Sequence, residues 1–310
     1  MVEQDRLDDL LEKTSRTFAL SIPVLPQPTR LEVTVAYLMF RIADTLEDAT
    51  RWGRDRQLEE LEAFAGLLRD PSPEGADDLA ARWVAHPPVH HEGYLELLRE
   101  TPLVLRTTMG LGPEASELIR THTLRTIERM ASFVARARES SGVELEDTED
   151  LRAYCYAVAG IVGEMLTELF LLGRRELAAV APALRQDAAP FGEALQLVNI
   201  LKDSADDSEE GRRFLPPGCD RAAVFALARE DLDVASRYVG RLQRAGAPRG
   251  VIEFTALPVL LAWRTLDRVE EEGPGAKLTR PEVVRIVASL QKALSDGAPA
   301  IPGAAGAAGA

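Results

Sequence analysis

The sequence predicts an all-α protein, on three observations. Apolar residues recur at spacings of three and four, as in Leu7, Leu10 and Leu11 and again in Leu58, Leu61 and Phe64, which is the period of one buried helix face. Leu, Ala, Arg and Glu dominate the composition, and no segment alternates apolar and polar residues as a half-buried strand would. Proline and glycine clusters punctuate the helical runs at Pro23, Pro26 and Pro28, at Asp70-Pro-Ser-Pro-Glu-Gly75, at Pro87-Pro88 and at Pro216-Pro-Gly218, where a helix stops or starts.

Taken in order, the segments divide by their chemistry. The run Val35-Ala-Tyr-Leu-Met-Phe-Arg-Ile-Ala43 is too apolar for a solvated helix face, and it leads directly into Asp44-Thr-Leu-Glu47-Asp48. His86, His90 and His91 fall in a polar, proline-interrupted stretch without a cysteine partner, and His122 stands alone on a charged helix; all four read as solvated residues rather than a metal site. Gly110-Leu-Gly112-Pro-Glu-Ala115 resembles a dinucleotide fingerprint but lacks the preceding strand and contains a helix-starting proline, so it reads as an interhelical turn. The apolar run Ala194-Leu-Gln-Leu-Val-Asn-Ile-Leu201 leads into a second acidic segment, Asp203-Ser-Ala-Asp206-Asp207. Phe254 to Trp263 is the best apolar run, about half of the roughly 20 residues a membrane span needs, and it carries Pro258. The expectation is one domain over residues 1–296, followed by a disordered low-complexity tail at 297–310.

Composition bounds the function. With 50 acidic against 36 basic residues, the formal charge of −14 over 310 residues argues against nucleic acid as a partner. The two cysteines, Cys155 and Cys219, show neither disulfide nor metal-ligand spacing, as suits a reducing cytoplasm. The N-terminus lacks a basic start followed by an apolar run, and any membrane contact is expected to be peripheral, at the inner surface. Oligomeric state leaves no mark in the sequence.

The two acidic segments carry the most chemistry. Residues four apart on a helix lie one turn above each other, so Asp44 with Asp48, and Asp203 with Asp207, each present a pair of carboxylates on one face. Such pairs suit Mg²⁺, which takes oxygen ligands and bridges one or two carboxylates to substrate phosphates. In so acidic a chain, three acids at fixed offsets arise about once or twice by chance. Spacing alone therefore leaves a metal-diphosphate site and an ordinary charged helix end both open; the apolar setting of both segments is what raises the first reading.

Several segments together resemble the squalene/phytoene synthase family, the head-to-head (1-1′) prenyl transferases. Ser15-Arg-Thr-Phe-Ala19 and Tyr37-Leu-Met-Phe-Arg-Ile-Ala-Asp-Thr-Leu-Glu-Asp48 resemble that family's first helix and first aspartate-rich motif. Tyr154-Cys-Tyr-Ala-Val-Ala-Gly-Ile-Val-Gly163 is similar to its tyrosine-containing Ala-Gly-x-Val-Gly helix. Leu195 to Asp203, with Gly211 to Pro216, looks like the second motif and its basic flap, and Phe254-Thr-Ala-Leu-Pro258 resembles a later helix.

The resemblance implies a single-domain isoprenoid-synthase helical bundle around a central cavity, acting on prenyl diphosphates. It implies Asp44, Asp48, Asp203 and Asp207 as Mg²⁺ ligands, and Arg16, Arg41 and Arg212 on the diphosphate oxygens, where a planar guanidinium donates several hydrogen bonds. Tyr37 and Tyr154 match tyrosines near the reacting centre, with Tyr154 favoured for proton transfer or cation control; Tyr156, about 200° away on a helix, reads as packing. Gln196 and Asn199 match polar positions that order the phosphate end, or else satisfy a buried carbonyl. Lys202 departs from the family's arginine and loses its bidentate fork. Gly160 and Gly163 each cost a helix about 1 kcal/mol relative to alanine, which admits either a neighbouring helix or an isoprenoid chain.

Bulk at Phe18 and Ile22 on the first helix, together with the Asp-Thr-Leu-Glu-Asp form of the first motif, looks more like squalene synthases than phytoene synthases. That implies two farnesyl diphosphates condensed to presqualene diphosphate and then reduced to squalene with NADPH; Lys277-Leu-Thr-Arg280 sits where those enzymes have basic residues near a nicotinamide site. Dehydrosqualene, hydroxysqualene or phytoene as product stays open, as does a catalytically silent helical protein that uses its acids for ion or partner binding.

Overall fold

Helices joined by short connections make up nearly all of the described chain, as the three-and-four spacing requires. The computed structural model describes residues 2–15, 17–137, 143–209 and 213–302, with the backbone alone for Val2 and residues 206–209. The all-α class is as expected: among the described residues the one extended pairing is an isolated parallel bridge, Glu144 with Arg213. The chain divides into two compact units, residues 1–23 with 27–139 and residues 24–26 with 140–310. No shift in composition marks that division in the sequence.

The first unit comprises α1 (Val2–Thr14), α2 (Phe18–Ser21), α3 (Thr29–Glu47), α4 (Arg54–Arg69), α5 (Pro73–Ala85), α6 (Glu92–Arg99), α7 (Thr101–Met109) and α8 (Pro113–Arg136). At its centre runs α3, against which α1, α4, α6, α7 and α8 all pack. Val33, Val35, Ala36, Leu38, Met39, Ile42, Ala43 and Leu46 are buried there, as an enclosed helix demands. The turns fall where proline and glycine place them. Ser72 accepts from the Gly75 N–H to cap α5, and Gly110 and Gly112 end α7 and open α8 ahead of Pro113, so that glycine pair is an interhelical turn. His122 departs from its solvated reading: it is buried, with Nδ1 2.8 Å from the Leu118 carbonyl one turn back.

The second unit comprises α9 (Thr148–Cys155), a π-helical turn (Tyr156–Gly160), α10 (Ile161–Leu171), α11 (Ala181–Glu209), α12 (Arg221–Arg244), α13 (Arg249–Glu272) and α14 (Arg280–Ser295). Here α11 is central, packed by α9, the π turn, α10, α12 and α13. Two glycines make that contact possible. A Cβ on Gly163 would lie 2.0 Å from the Ala188 carbonyl oxygen, and one on Gly192 would lie 2.0 Å from that of Ala159, distances no side chain tolerates. Of the two readings of Gly163, close approach of a neighbouring helix is the one realised.

Two expectations change. The α9, π-turn and α10 segments join into one 24-residue helix, Thr148–Leu171, long and apolar enough by length and composition to cross a membrane. The sequence reading missed it because Tyr154, Gly160 and Gly163 interrupt the apolar run; more than half of its apolar window is buried inside the protein. The boundary of the tail also moves. Gln243 Nε2 donates to the Ala298 carbonyl at 2.8 Å and Gln243 Oε1 accepts from the Ala300 N–H at 2.8 Å, while Ala300 and Ile301 are buried. Those contacts order the chain through Pro302; residues 303–310 lie outside the described residues.

Candidate active site

In the first unit, the buried run of α3 delivers its polar residues at the C-terminal end. Asp48 is the C-cap, its N–H bonded to the Asp44 carbonyl, so the helix closes on the acidic segment itself. One carboxylate oxygen from each of Asp44, Glu47 and Asp48 lies within 4.8 Å of the others, with Glu47 buried and the two aspartates half-buried. The Glu47 backbone is fixed as well, its carbonyl accepting from Gln57 Nε2 at 2.7 Å. Three clustered hard oxygen donors fit a divalent cation such as Mg²⁺. Glu47, which the sequence reading left outside the ligand set, belongs to the cluster.

Arg41 sits one turn before these acids. Its Nη1 donates to Asp44 Oδ2 at 2.5 Å and its Nε to the Tyr37 hydroxyl at 3.2 Å, while Tyr37 in turn donates to the Thr14 carbonyl at 2.7 Å. Burial works against the Arg41 charge, but Asp44 and the phenols of Tyr37 and Tyr94 outweigh it and raise the guanidinium's pKa. Tyr94 responds to the same field: burial raises its phenol, Asp44, Tyr37 and Asp48 push the same way, and Arg41 pulls back. Phe18 packs on Tyr37 with ring centroids 5.4 Å apart. The Ile22 N–H bonds the Phe18 carbonyl, which keeps these two residues one turn apart, and Ile22 is fully buried.

In the second unit, Asp203 is half-buried on α11. Lys202 Nζ lies 3.1 Å from Asp203 Oδ2 and donates to Asn199 Oδ1 at 3.3 Å, so this departure from the family pattern keeps a cation against the acidic segment. Asn199 is exposed and Gln196 half-buried; Asn199 therefore serves Lys202 rather than a buried carbonyl. Arg16, Arg212 and the side chain of Asp207 lie outside the described residues.

Tyr154 is buried, its ring stacked on Phe214 with centroids 4.8 Å and planes 23° apart. Phe214 is held there by its neighbour: the Leu145 N–H donates to the Arg213 carbonyl at 3.0 Å, and the Arg213 N–H donates to the Val143 carbonyl at 2.9 Å. Tyr156 leaves by another direction, its hydroxyl donating to Glu164 Oε1 at 3.2 Å. Beneath the π turn, Arg152 Nη1 donates to Glu193 Oε2 at 2.9 Å and to Asp231 Oδ2. Burial raises the carboxyl pKa of both acids, and Arg152 only partly offsets it. Burial also pushes the Cys155 thiol well up, leaving it an inert core residue. Lys277 and Arg280 are exposed, Lys277 ahead of the Thr279–Glu282 capping box that opens α14 and Arg280 within it.

Tyr94, Phe214 and the Arg152–Glu193–Asp231 set escaped the sequence reading. Phe214 stood inside a quoted segment without a role, whereas Tyr94 stands beside the histidines read as solvated loop, where no pattern distinguishes it.

Comparison with known proteins now bears on these residues. The family model described as squalene/phytoene synthase matches residues 11–217. The chain is 31% identical to the squalene synthase of Schizosaccharomyces pombe over 214 residues, 68% of this chain and 44% of that protein. It is 31% identical to the squalene synthase of Yarrowia lipolytica over 289 residues, 86% of this chain and 61% of that one. It thus spans about half the length of the curated relatives it matches. Among solved structures, a ligand complex of TcSQS shares 26% identity over 95% of this chain and 89% of that one, with a TM-score of 0.78. A dehydrosqualene synthase in complex with ligand, at 19% identity and a TM-score of 0.63 over 95% of this chain and 97% of that one, shares the fold. With the matched stretch running through the first acidic segment, Tyr154 and the second acidic segment, the chain belongs to the squalene/phytoene synthase family.

Proposed function

We propose that the protein condenses two farnesyl diphosphates head to head, 1-1′, to presqualene diphosphate and converts that to squalene with NADPH. The observation that carries the reading is the Asp44, Glu47 and Asp48 oxygen cluster beside the Arg41 guanidinium, a donor set and a cation suited to Mg²⁺ and a diphosphate. Asp203 and Asp207 are the corresponding ligands of the second acidic segment. Bound Mg²⁺ supplies Lewis acidity toward the departing diphosphate. Arg41, Arg16 and Arg212 hold diphosphate oxygens, and Lys202 supplies a point charge where a guanidinium fork would otherwise stand. Tyr37 orients Arg41 through the hydroxyl contact already described. The allylic cation must meet the second prenyl chain before water does, and the stacked rings of Tyr154 and Phe214 offer a dry aromatic face for it. Phe18 and the fully buried Ile22 set how long a prenyl chain is admitted.

The test is incubation with farnesyl or geranylgeranyl diphosphate, with Mg²⁺ or chelator and with or without NADPH, followed by mass analysis of the products. Squalene formed from farnesyl diphosphate only when both Mg²⁺ and NADPH are present is the expected result. Dehydrosqualene or hydroxysqualene without reductant, or phytoene from the longer substrate, would reassign the product within the family. No diphosphate release at any enzyme concentration would overturn the reading.

A further inference from the structure

We infer that Tyr94, on α6 and outside both acidic segments, is a positioning residue that locks the Arg41 guanidinium in the orientation it presents to a diphosphate. The inference rests on the functional reading above for its ligand and on independent geometry for its mechanism. The Arg41 Cζ lies 5.4 Å from the Tyr94 ring centroid and 5.6 Å from that of Tyr37, so two aromatic rings contact one cation. Tyr37 also fixes the Nε and Asp44 the Nη1. Among the described residues, the hydrogen bonds that tether the guanidinium come from its own helix, Tyr37 and Asp44. A ring from a different helix restrains the guanidinium further, because attraction of a cation to a ring face depends on where the charge sits over the ring.

The placement of Tyr94 is built, not incidental. His91 is the N-cap of α6; its carbonyl accepts from the Tyr94 N–H at 3.1 Å, and its imidazole packs on the Tyr94 ring with centroids 4.2 Å apart. At Gly93 a Cβ would stand 2.7 Å from the Lys13 carbonyl oxygen and 3.2 Å from the Lys13 Cβ. Only glycine lets the first turn of α6 come this near the end of α1, beside the Thr14 carbonyl that anchors Tyr37. An ion-pair set then ties the two helices: Arg6 to Glu96 at 2.7 Å and Glu100 at 2.9 Å, and Lys13 to Glu96 at 2.9 Å. Glycine, imidazole and ion pairs all bring the Tyr94 ring to Arg41.

The experiment compares Tyr94→Leu, Tyr94→Phe and Gly93→Ala with the wild type by two measurements. The first is inorganic pyrophosphate affinity with Mg²⁺, by calorimetry. The second is the Arg41 side-chain Nε–H resonance, assigned with Arg41→Lys, which reports ring current directly and needs no turnover. Tyr94→Leu is expected to move the resonance and to weaken pyrophosphate about fivefold, the scale of one partly desolvated cation–ring contact. Tyr94→Phe, which keeps the ring, is expected to restore both. Gly93→Ala keeps the tyrosine but drives α6 off α1, so it should reproduce the leucine phenotype in a chain whose core is untouched. An unmoved resonance in Tyr94→Leu, or a phenylalanine variant as impaired as the leucine one, overturns the inference. Should the wild type neither bind pyrophosphate nor consume farnesyl diphosphate, the functional reading fails, and the resonance alone still decides whether Tyr94 orients Arg41.

Discussion

Around Asp44 and Asp48, the reactive set comes largely from one helix: Tyr37, Arg41, Asp44 and Glu47 follow one another at spacings of four and three along α3, and Asp48 caps it. Around Tyr154, by contrast, the ring is met by Phe214, from beyond the end of α11, and Phe214 is placed by a two-bond bridge to Val143 and Leu145. The first region is assembled by helical periodicity, the second by tertiary packing across a π turn and a glycine-mediated helix contact. A set on one helix keeps its backbone spacing as long as that helix survives. A set drawn from three segments depends on every contact among them.

The largest expected effect tests the metal chemistry proposed for each acidic segment. Asp48→Asn and Asp203→Asn should each lower turnover on the order of 100- to 1,000-fold, as loss of a single preorganised electrostatic partner does at other sites, with helical content unchanged by circular dichroism. Full activity in either variant would remove that acidic segment from the proposed metal ligands.

Next come the glycines that only the second region needs. Gly163→Ala and Gly192→Ala each place a methyl 2.0 Å from a backbone carbonyl oxygen, so α11 must move away from α10 in the first and from the π turn in the second. The cost should be about 1–3 kcal/mol, read as a lower midpoint in urea. Gly160→Ala meets the Tyr156 ring at 2.8 Å and Glu193 Oε1 at 3.1 Å, side-chain atoms that can shift, so it should be milder. Equal effects at all three positions would mean that the second region is less tightly joined than its distances indicate.

This difference also decides what was legible in the sequence. The all-α class and the turns at Gly110–Gly112 and Pro216–Gly218 follow from local periodicity and punctuation, which a single sequence displays; the four-residue spacing pairs Asp44 with Asp48, and Tyr37 and Arg41 join them through the family resemblance. The Phe214–Tyr154 stack, the three-way contact of Arg152 with Glu193 and Asp231, and the arrival of Tyr94 over Arg41 join residues far apart in the chain; no spacing rule reaches them. Pro258 lies inside α13 and Pro190 inside α11 without ending either helix, because packing on neighbouring helices outweighs local preference. The ordered stretch Gly297–Pro302 was hidden by its composition: its two buried residues, Ala300 and Ile301, make too little apolar signal to see, and Gln243 supplies the rest.

A smaller effect isolates the aromatic pair. Phe214→Leu keeps apolar bulk but removes the stacked ring, and aromatic pairs contribute about 0.5–1.5 kcal/mol beyond their buried area. The variant should unfold slightly more easily, and Tyr154, buried in the wild type, should become open to nitration by tetranitromethane. Phe214→Tyr should protect it again. A leucine variant in which Tyr154 stays protected would show that Val143 and Leu145 shield the ring without the stack.

The smallest effect concerns pH, and it belongs to the second region. Two buried carboxylates share one guanidinium there, and burial raises the pKa of both Glu193 and Asp231 above their ordinary values. A folded-state pKa above the unfolded one means that the folded protein holds more protons between the two values. The stability tied to these groups is therefore full below the ordinary carboxylate range and is lost as pH rises through the raised pKa. Asp231→Asn removes one of the two titrations while leaving Arg152 with Glu193, so it should flatten the fall of melting temperature with rising pH over that window. Arg152→Met leaves two buried acids without their cation and should steepen the same fall. A pH slope in the Arg152 variant equal to that of the wild type would break the comparison, because two buried acids around one guanidinium would then have no thermodynamic signature of their own.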